Sequence, residues 1–196
     1  SVPPRLRQPL TLTDGFRPLF TSRGGISQNR AFQPESMPMT SELITDWSTH
    51  DQAFSEILNR ATRTIDIFDQ DLTRLPLERP EHTETLGRFL ASSPQAKLRI
   101  ILRDPTHFHR DCPRLMKMLL TCSHKMLVMA CSEQLAGLSD SLLLVDGFHG
   151  LIRFHHDNVR SKRIDNDPEA CKPYLLRFTE ILREGGETIS PTPTGL

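Results

Sequence analysis

Apolar positions recur along this chain at two spacings, and between residues 46 and 186 the spacing switches several times. In TDWSTHDQAFSEILNRATRTIDIFDQDL, Phe54, Ile57, Leu58 and Ala61 fall on one helical face. Thr49 and Gln52 have the spacing of a capping box, so this helix is expected to start there. Beyond Arg63 the period drops to two, Ile65 and Ile67 alternating with Asp66 and Phe68, which predicts a strand. RPEHTETLGRFLASS predicts a short helix that buries Leu86, Phe89 and Leu90, and AKLRIILRDP a strand stopped by Pro105. Within HFHRDCPRLMKMLLTCSHK a further helix puts Leu115, Met118, Leu119 and Cys122 on one side and a wet face of Arg110, Arg114, Lys117 and Thr121 on the other. MLVMAC reads as a strand, and SLLLVDG with GLIRFHH as a hairpin joined through Gly147-Phe148-His149-Gly150. PYLLRFTEILREGG gives a last helix with Tyr174, Phe178, Ile181 and Leu182 on its apolar face and Gly185-Gly186 as its exit. The alternation predicts an α/β domain, a mixed sheet with helices on both faces, in which LRIIL and LLLVD are neighbouring strands.

The flanks lack any sustained period. Residues 1–45 are expected to form a flexible arm rich in Pro, Gly, Ser and Arg; residues 46–186 form the domain; residues 187–196, ETISPTPTGL, form a second tail. The arm carries Arg5, Arg7, Arg17, Arg23 and Arg30 against Asp14 and Glu35, and its Phe16, Leu19, Phe20 and Phe32 are more apolar than a linker needs, so part of it is expected to pack on the body or a neighbour. A total of 24 basic against 24 acidic residues excludes a global field that would draw the chain to nucleic acid or an anionic membrane, so any such binding must be local. No run approaches the length of a membrane helix, and the first thirty residues contain no apolar core of a signal peptide, which predicts a cytosolic protein. Cys112, Cys122, Cys131 and Cys171 are widely spaced, as reduced and mostly buried thiols would be, and no cofactor is expected.

Three places carry candidate chemistry. DPTHFHRDC holds His107, His109, Asp111 and Cys112, ligand types zinc accepts, but after a proline and before a helix they read as capping or surface residues, and no metal is expected. RFHHDNVRSKR is the densest polar cluster of the domain: Arg153, Arg160, Lys162 and Arg163 against Asp157, with His155, His156 and Asn158 among them. These are donors that could hold a phosphate, or a solvated loop. LSDSLLLVDG ends its apolar run on Asp146-Gly147, where the aspartate reads first as a strand end. The sequence has no Gly-x-Ser-x-Gly elbow, glycine-rich phosphate loop, His-Glu-x-x-His helix or dinucleotide fingerprint.

The element order, with a Leu/Val strand ending in Asp-Gly, resembles one half of the phospholipase D superfamily over about residues 46–186, and more closely small uncharacterised bacterial proteins with a single degenerate copy of that domain. The superfamily signature is His-x-Lys-x-x-x-x-Asp. With Asp146 as its aspartate, the lysine position falls on Ser141 and the histidine position on Ser139. The superfamily uses the imidazole to attack phosphorus and the lysine to hold phosphate oxygens; a serine does neither unaided, so the resemblance implies no phosphodiesterase activity of that kind and leaves Asp146 as a turn aspartate. It also places the Arg153–Arg163 segment near a phosphate-binding cleft, with Asn158 where a Gly-Ser-x-Asn element would have its asparagine, and makes a homodimer or a protein partner plausible. The expected function is a non-catalytic binding or scaffolding module contacting a phosphate-bearing ligand, a nucleic acid or a protein complex through the arm and the Arg153, His155, His156, Asn158, Arg160, Lys162, Arg163 cluster. The alternative is a phosphodiesterase- or nuclease-type enzyme with a non-standard histidine site at His155 or His156.

Overall fold

The structure, a computed structural model, describes residues 40–135 and 137–190. The arm's cations and Phe16, Leu19, Phe20 and Phe32 lie outside the described residues. The central strand is β2, Thr64–Asp69, and β3, Lys97–Leu102, and β4, Met126–Cys131, follow it in parallel. The crossovers carry α2, Pro80–Ser92, and then α3, Thr106–Asp111, with α4, Pro113–Thr121. On the other side of β2 runs an antiparallel meander of β5, Ser141–Val145, β6, His149–Arg153, and β7, Ser161–Asp165. β1, Thr40–Ile44, closes one edge against β7, and β8, Gly186–Thr188, closes the other against β4. The order is β1-β7-β6-β5-β2-β3-β4-β8. LRIIL and LLLVD therefore share the sheet without touching: β2 lies between them, Ile67 facing Ile100 of β3 and Leu143 of β5. TIDIFD is buried on both faces and both edges, so it takes a partner on each side.

Helices cover both faces. α1, Trp47–Leu58, with α2 and α4, buries Ala53, Phe54, Leu86, Phe89 and Leu115 over Ile65, Ile67, Leu98, Ile100 and Leu143. α5, Pro168–Glu184, sets Cys171, Phe178 and Ile181 on Phe68, Ile101, Leu142, Leu144 and Ile152. The unbroken run Leu142–Val145 thus divides alternately between two cores, which is why it shows no polar alternation. Asp66 lies on the α5 face, and Arg99 donates to both its oxygens at 2.6 and 2.7 Å; burial nevertheless pushes the Asp66 carboxyl up.

Several boundaries differ from the sequence reading. α1 starts at Trp47 because Asp46 in extended conformation accepts from Thr49 N at 2.9 Å; Gln52 instead donates to Glu56 Oε1 at 2.8 Å, so the Thr49–Gln52 box is not formed. The helix expected across residues 107–125 breaks at Cys112, since Pro113 lacks an N–H and bars its predecessor from the helical region. α5 begins five residues before Pro173, at Pro168, where Asp167 caps Ala170 N at 2.9 Å, and ends on Gly185 at φ 76°. Residues 40–44, expected in the arm, and Glu187 and Thr188, expected in the tail, belong to the sheet. The expected β5–β6 hairpin forms, turning on Asp146 (φ 55°) and Gly147 (φ 77°), the successive positive angles that Asp-Gly turns supply. All four cysteines are free, Cys112 and Cys171 buried, Cys122 and Cys131 partly so. Among the described residues, no helix is long and apolar enough to cross a membrane.

Candidate functional site

Strand directions gather one end of the sheet into a single place. β5 starts where β2 finishes, Phe68 facing Leu142. Ser141 faces Arg153 at the end of β6, and Ser161 at the start of β7 faces both Arg153 and Ile44. α1 begins at Trp47, three residues beyond Ile44. The carboxyl ends of β1, β2, β3 and β6 thus meet the amino end of α1, the kind of sheet end where open α/β folds hold ligands.

A buried ionic cluster sits there. Arg153 Nη2 donates to Asp69 Oδ1 at 2.9 Å and to Ser141 Oγ at 3.1 Å, and the Ser141 hydroxyl donates to the same Asp69 oxygen. Asp69 Oδ2 accepts from Leu72 N at 2.8 Å and Asp71 N at 3.3 Å, which holds Leu72 at φ 71°. Asp69 and Arg153 are 0% and 2% exposed. Trp47 roofs the cluster, its ring 5.7 Å from the Arg153 guanidinium, with exposed Arg74 at 4.8 Å from the same ring. His50, also buried, meets the Trp47 ring edge-on at 5.5 Å; burial, reinforced by the Arg153 charge, pushes its imidazole pKa down. Its Nδ1 is 3.6 Å from Asp51 Oδ1, beyond hydrogen-bond reach. Arg153 Nε and Nη1 have no partner among the described residues. A buried guanidinium with two idle donors is costly unless something accepts from them.

Beside the cluster, Arg103 fixes the loop that enters β5. Its Nη1 donates to Leu138 O at 2.5 Å and Asp140 O at 2.9 Å, its Nε to Gln70 Oε1 at 2.7 Å, and its Nη2 stays idle. Arg177 of α5 holds Asp140 at 2.8 Å. Half-buried Ser139 lies between these anchors, and its carbonyl accepts from His156 N at 2.7 Å, with His156 Nδ1 3.3 Å from the same oxygen. The structure thus brings Ser139, Ser141, Arg153 and His156 together at this end.

Asp146 is at the far end of β5. It accepts from Thr62 N (2.8 Å), Thr62 Oγ1 (2.6 Å), Arg63 N (2.7 Å) and Thr64 N (2.7 Å), so its work is to staple the chain entering β2. Burial would raise its pKa, but these donors outweigh burial and hold the carboxyl below its ordinary value. The polar segment 153–163 does not form one surface. Arg153 is internal. Arg163 turns to the α1 face, against Glu56 at 2.7 Å and Asp165 at 2.5 Å, whereas Lys162 turns to the α5 face near the Tyr174 ring. That split follows from strand alternation in β7. Arg160 stays exposed, 6.0 Å from the exposed Phe154 ring, and Asn158 Oδ1 accepts from Arg160 N at 3.0 Å as a turn residue. Among the described residues His107 pairs only with Asp111, at 2.9 Å, while Cys112 is buried. Sequence reasoning missed Asp69, Trp47, His50 and Arg103.

Three solved structures share this fold. TrmBL2, an archaeal chromatin protein described as showing a novel mode of DNA binding, superposes with a TM-score of 0.57 at 13% identity, over 81% of this chain and 57% of its own. Nuc from Salmonella typhimurium, a phospholipase D family member, gives 0.51 at 13% identity, over 78% of this chain and 97% of its own. NucT from Helicobacter pylori gives 0.52 at 10% identity, over 76% and 99%. The fold is therefore phospholipase D-like. This chain spans little more than half of the TrmBL2 chain. No curated protein matches it. A family model does match residues 46–187, well over half of the sequence, and the chain belongs to that family, the domain of unknown function DUF7931.

Proposed function

We propose that this domain is a non-catalytic binding module that takes a phosphate-bearing strand, a nucleic acid, at the sheet end built around Arg153. The observation that carries the reading is the pair of buried, idle donors Arg153 Nε and Nη1 beside Ser141. With Asp146 as the signature aspartate, the resemblance puts Ser141 at the lysine position, and a cation, Arg153, reaches that place from the neighbouring strand. The Ser141 hydroxyl is buried and committed to Asp69, so it is not free to attack. The rim adds two cation–aromatic pairs, Arg74 with Trp47 and Arg160 with Phe154, surfaces on which bases stack. The DNA-binding description of TrmBL2 and the phospholipase D membership of Nuc support the ligand class. A homodimer or a protein partner would extend this end.

The test is fluorescence anisotropy of a labelled single-stranded oligonucleotide at two salt concentrations. About four phosphate contacts on a single strand give a log–log slope near −2.8, a loss of roughly 50-fold between about 50 and 200 mM salt. Arg74→Glu with Arg160→Glu, both exposed, is expected to abolish binding; unchanged affinity would remove the rim from the account.

A second reading rests on His156. A carbonyl only accepts, so the contact to Ser139 O puts the proton on Nδ1 and leaves a lone pair on Nε2, available to attack phosphorus or act as a base. Hydrolysis of bis(p-nitrophenyl) phosphate that survives Ser139→Ala and is lost in His156→Ala would establish that enzyme and displace the non-catalytic one.

A further inference from the structure

We propose that His155, His156 and Asp157 form a binding site for a divalent transition ion of the zinc class, at the lip of the same sheet end but independent of nucleic-acid binding. They are the one group of three His, Cys, Asp or Glu residues among the described residues whose ligand atoms lie within 4.8 Å of one another. His156 Nε2 is 3.5 Å and His155 Nδ1 3.9 Å from Asp157 Oδ2. Two ligand atoms on a tetrahedral ion at about 2.0–2.1 Å stand roughly 3.3–3.4 Å apart, so the His156–Asp157 pair is already near that spacing and His155 has to draw in further.

Three observations separate this trio from ordinary surface polarity. The first is the proton arrangement on His156: Nδ1 faces the Ser139 carbonyl and Nε2 faces the carboxylate. That is the outer-shell bond that orients a metal-binding imidazole. The second is rigidity, because the Ser139 loop is anchored by Arg103 and Arg177. The third is charge. Asp157 pairs with no Lys or Arg among the described residues. Asp111, beside His107, is held by Arg110 at 2.8 Å, and Asp165, beside His149, by Arg60 at 2.6 Å. Those carboxylates are already neutralised; Asp157 is not.

Closing on an ion requires one movement. The His155 and His156 rings stack 4.6 Å apart, and His155 Nδ1 accepts from Asp157 N at 3.2 Å. His155 is 50% exposed, so it can turn out of the stack and exchange that weak bond for the metal. Three protein ligands would leave a fourth position open to water or an anionic oxygen.

The test is a cobalt(II) titration of the full chain followed by visible absorption. The account predicts a one-to-one complex with tetrahedral d–d bands, no thiolate charge-transfer band, and displacement by zinc. His156→Ala and Asp157→Asn should each weaken it at least about tenfold, while His107→Ala with Asp111→Asn leaves it unchanged. Zinc should also raise the melting temperature of the parent chain and not that of His156→Ala, which covers a variant whose fold is altered. Absence of the bands, a thiolate band, or bands that persist in His156→Ala and Asp157→Asn would overturn the site.

Discussion

Replacing Arg153 by Met removes two hydrogen bonds, at 2.9 Å to Asp69 and 3.1 Å to Ser141, and leaves the Asp69 carboxylate buried. Breaking a buried pair from one side costs about 3–5 kcal/mol. The lower end applies here, because Asp69 keeps the Leu72 and Asp71 amides and the Ser141 hydroxyl. Asp69→Asn is the worse change, about 5 kcal/mol, since it removes the negative charge that offsets a guanidinium already carrying two idle donors. The double variant leaves no buried charge in the pair and is expected to be less destabilised than Asp69→Asn alone, with a coupling of at least about 2 kcal/mol. Urea unfolding of the four proteins measures the cycle; at about 2–4 °C per kcal/mol for a domain of this size, Arg153→Met alone lowers the melting temperature by about 6–12 °C. Additivity within about 0.5 kcal/mol would show that the two charges do not depend on each other, and the reasoning about this end of the sheet would fail with it.

Asp146 has a depressed folded pKa, so the unfolded chain binds its proton first; the stability it contributes is present above the unfolded value of about 3.9 and is lost as pH falls through the folded one. Asp146→Asn should therefore cost about 1 kcal/mol at pH 7, where charge-assisted bonds to a half-exposed side chain are lost, and the difference from the parent should shrink in urea melts at pH 3. Gly186→Ala places a Cβ 1.8 Å from Ala130 O, so β8 should detach and amide exchange around residues 129–131 should rise while the global melt moves little. Burial pushes the Cys112 and Cys171 thiols up to about 12, so native-state alkylation followed by mass spectrometry should label Cys122 at pH 8 and spare those two until the chain unfolds.

Periodicity exposed most of the domain, because the elements that fill the two cores must repeat at 3.6 or 2 residues to do so. It failed where burial does not follow a repeat. β1 is exposed at four of its five residues, so TSELI has no apolar pattern to read. The order of β3 and β5 about β2 is a choice among buried strands of similar composition, which composition does not decide. Asp146-Gly147 was legible because a turn with two positive angles leaves few residue choices. Ser139 and Ser141 came into view through the resemblance, not the pattern. That Arg153 is buried, apart from the other cations of its segment, was not legible: its burial depends on Asp69, 84 residues away, and no local property of RFHHDN announces that partner. Asp69 itself looks like any polar residue ending a strand.

The central claim is that the idle Arg153 donors belong to a ligand, and arginine side-chain NMR reads them directly. Titrating the full chain, labelled with nitrogen-15 on arginine, with a single-stranded oligonucleotide should shift the Arg153 Nε–H resonance and slow its exchange with water, as an acceptor takes up a bond open in the free protein. If the strand binds while the Arg153 signal stays where it was and only exposed arginines such as Arg74 and Arg160 move, binding is a surface event and the account of this sheet end is wrong.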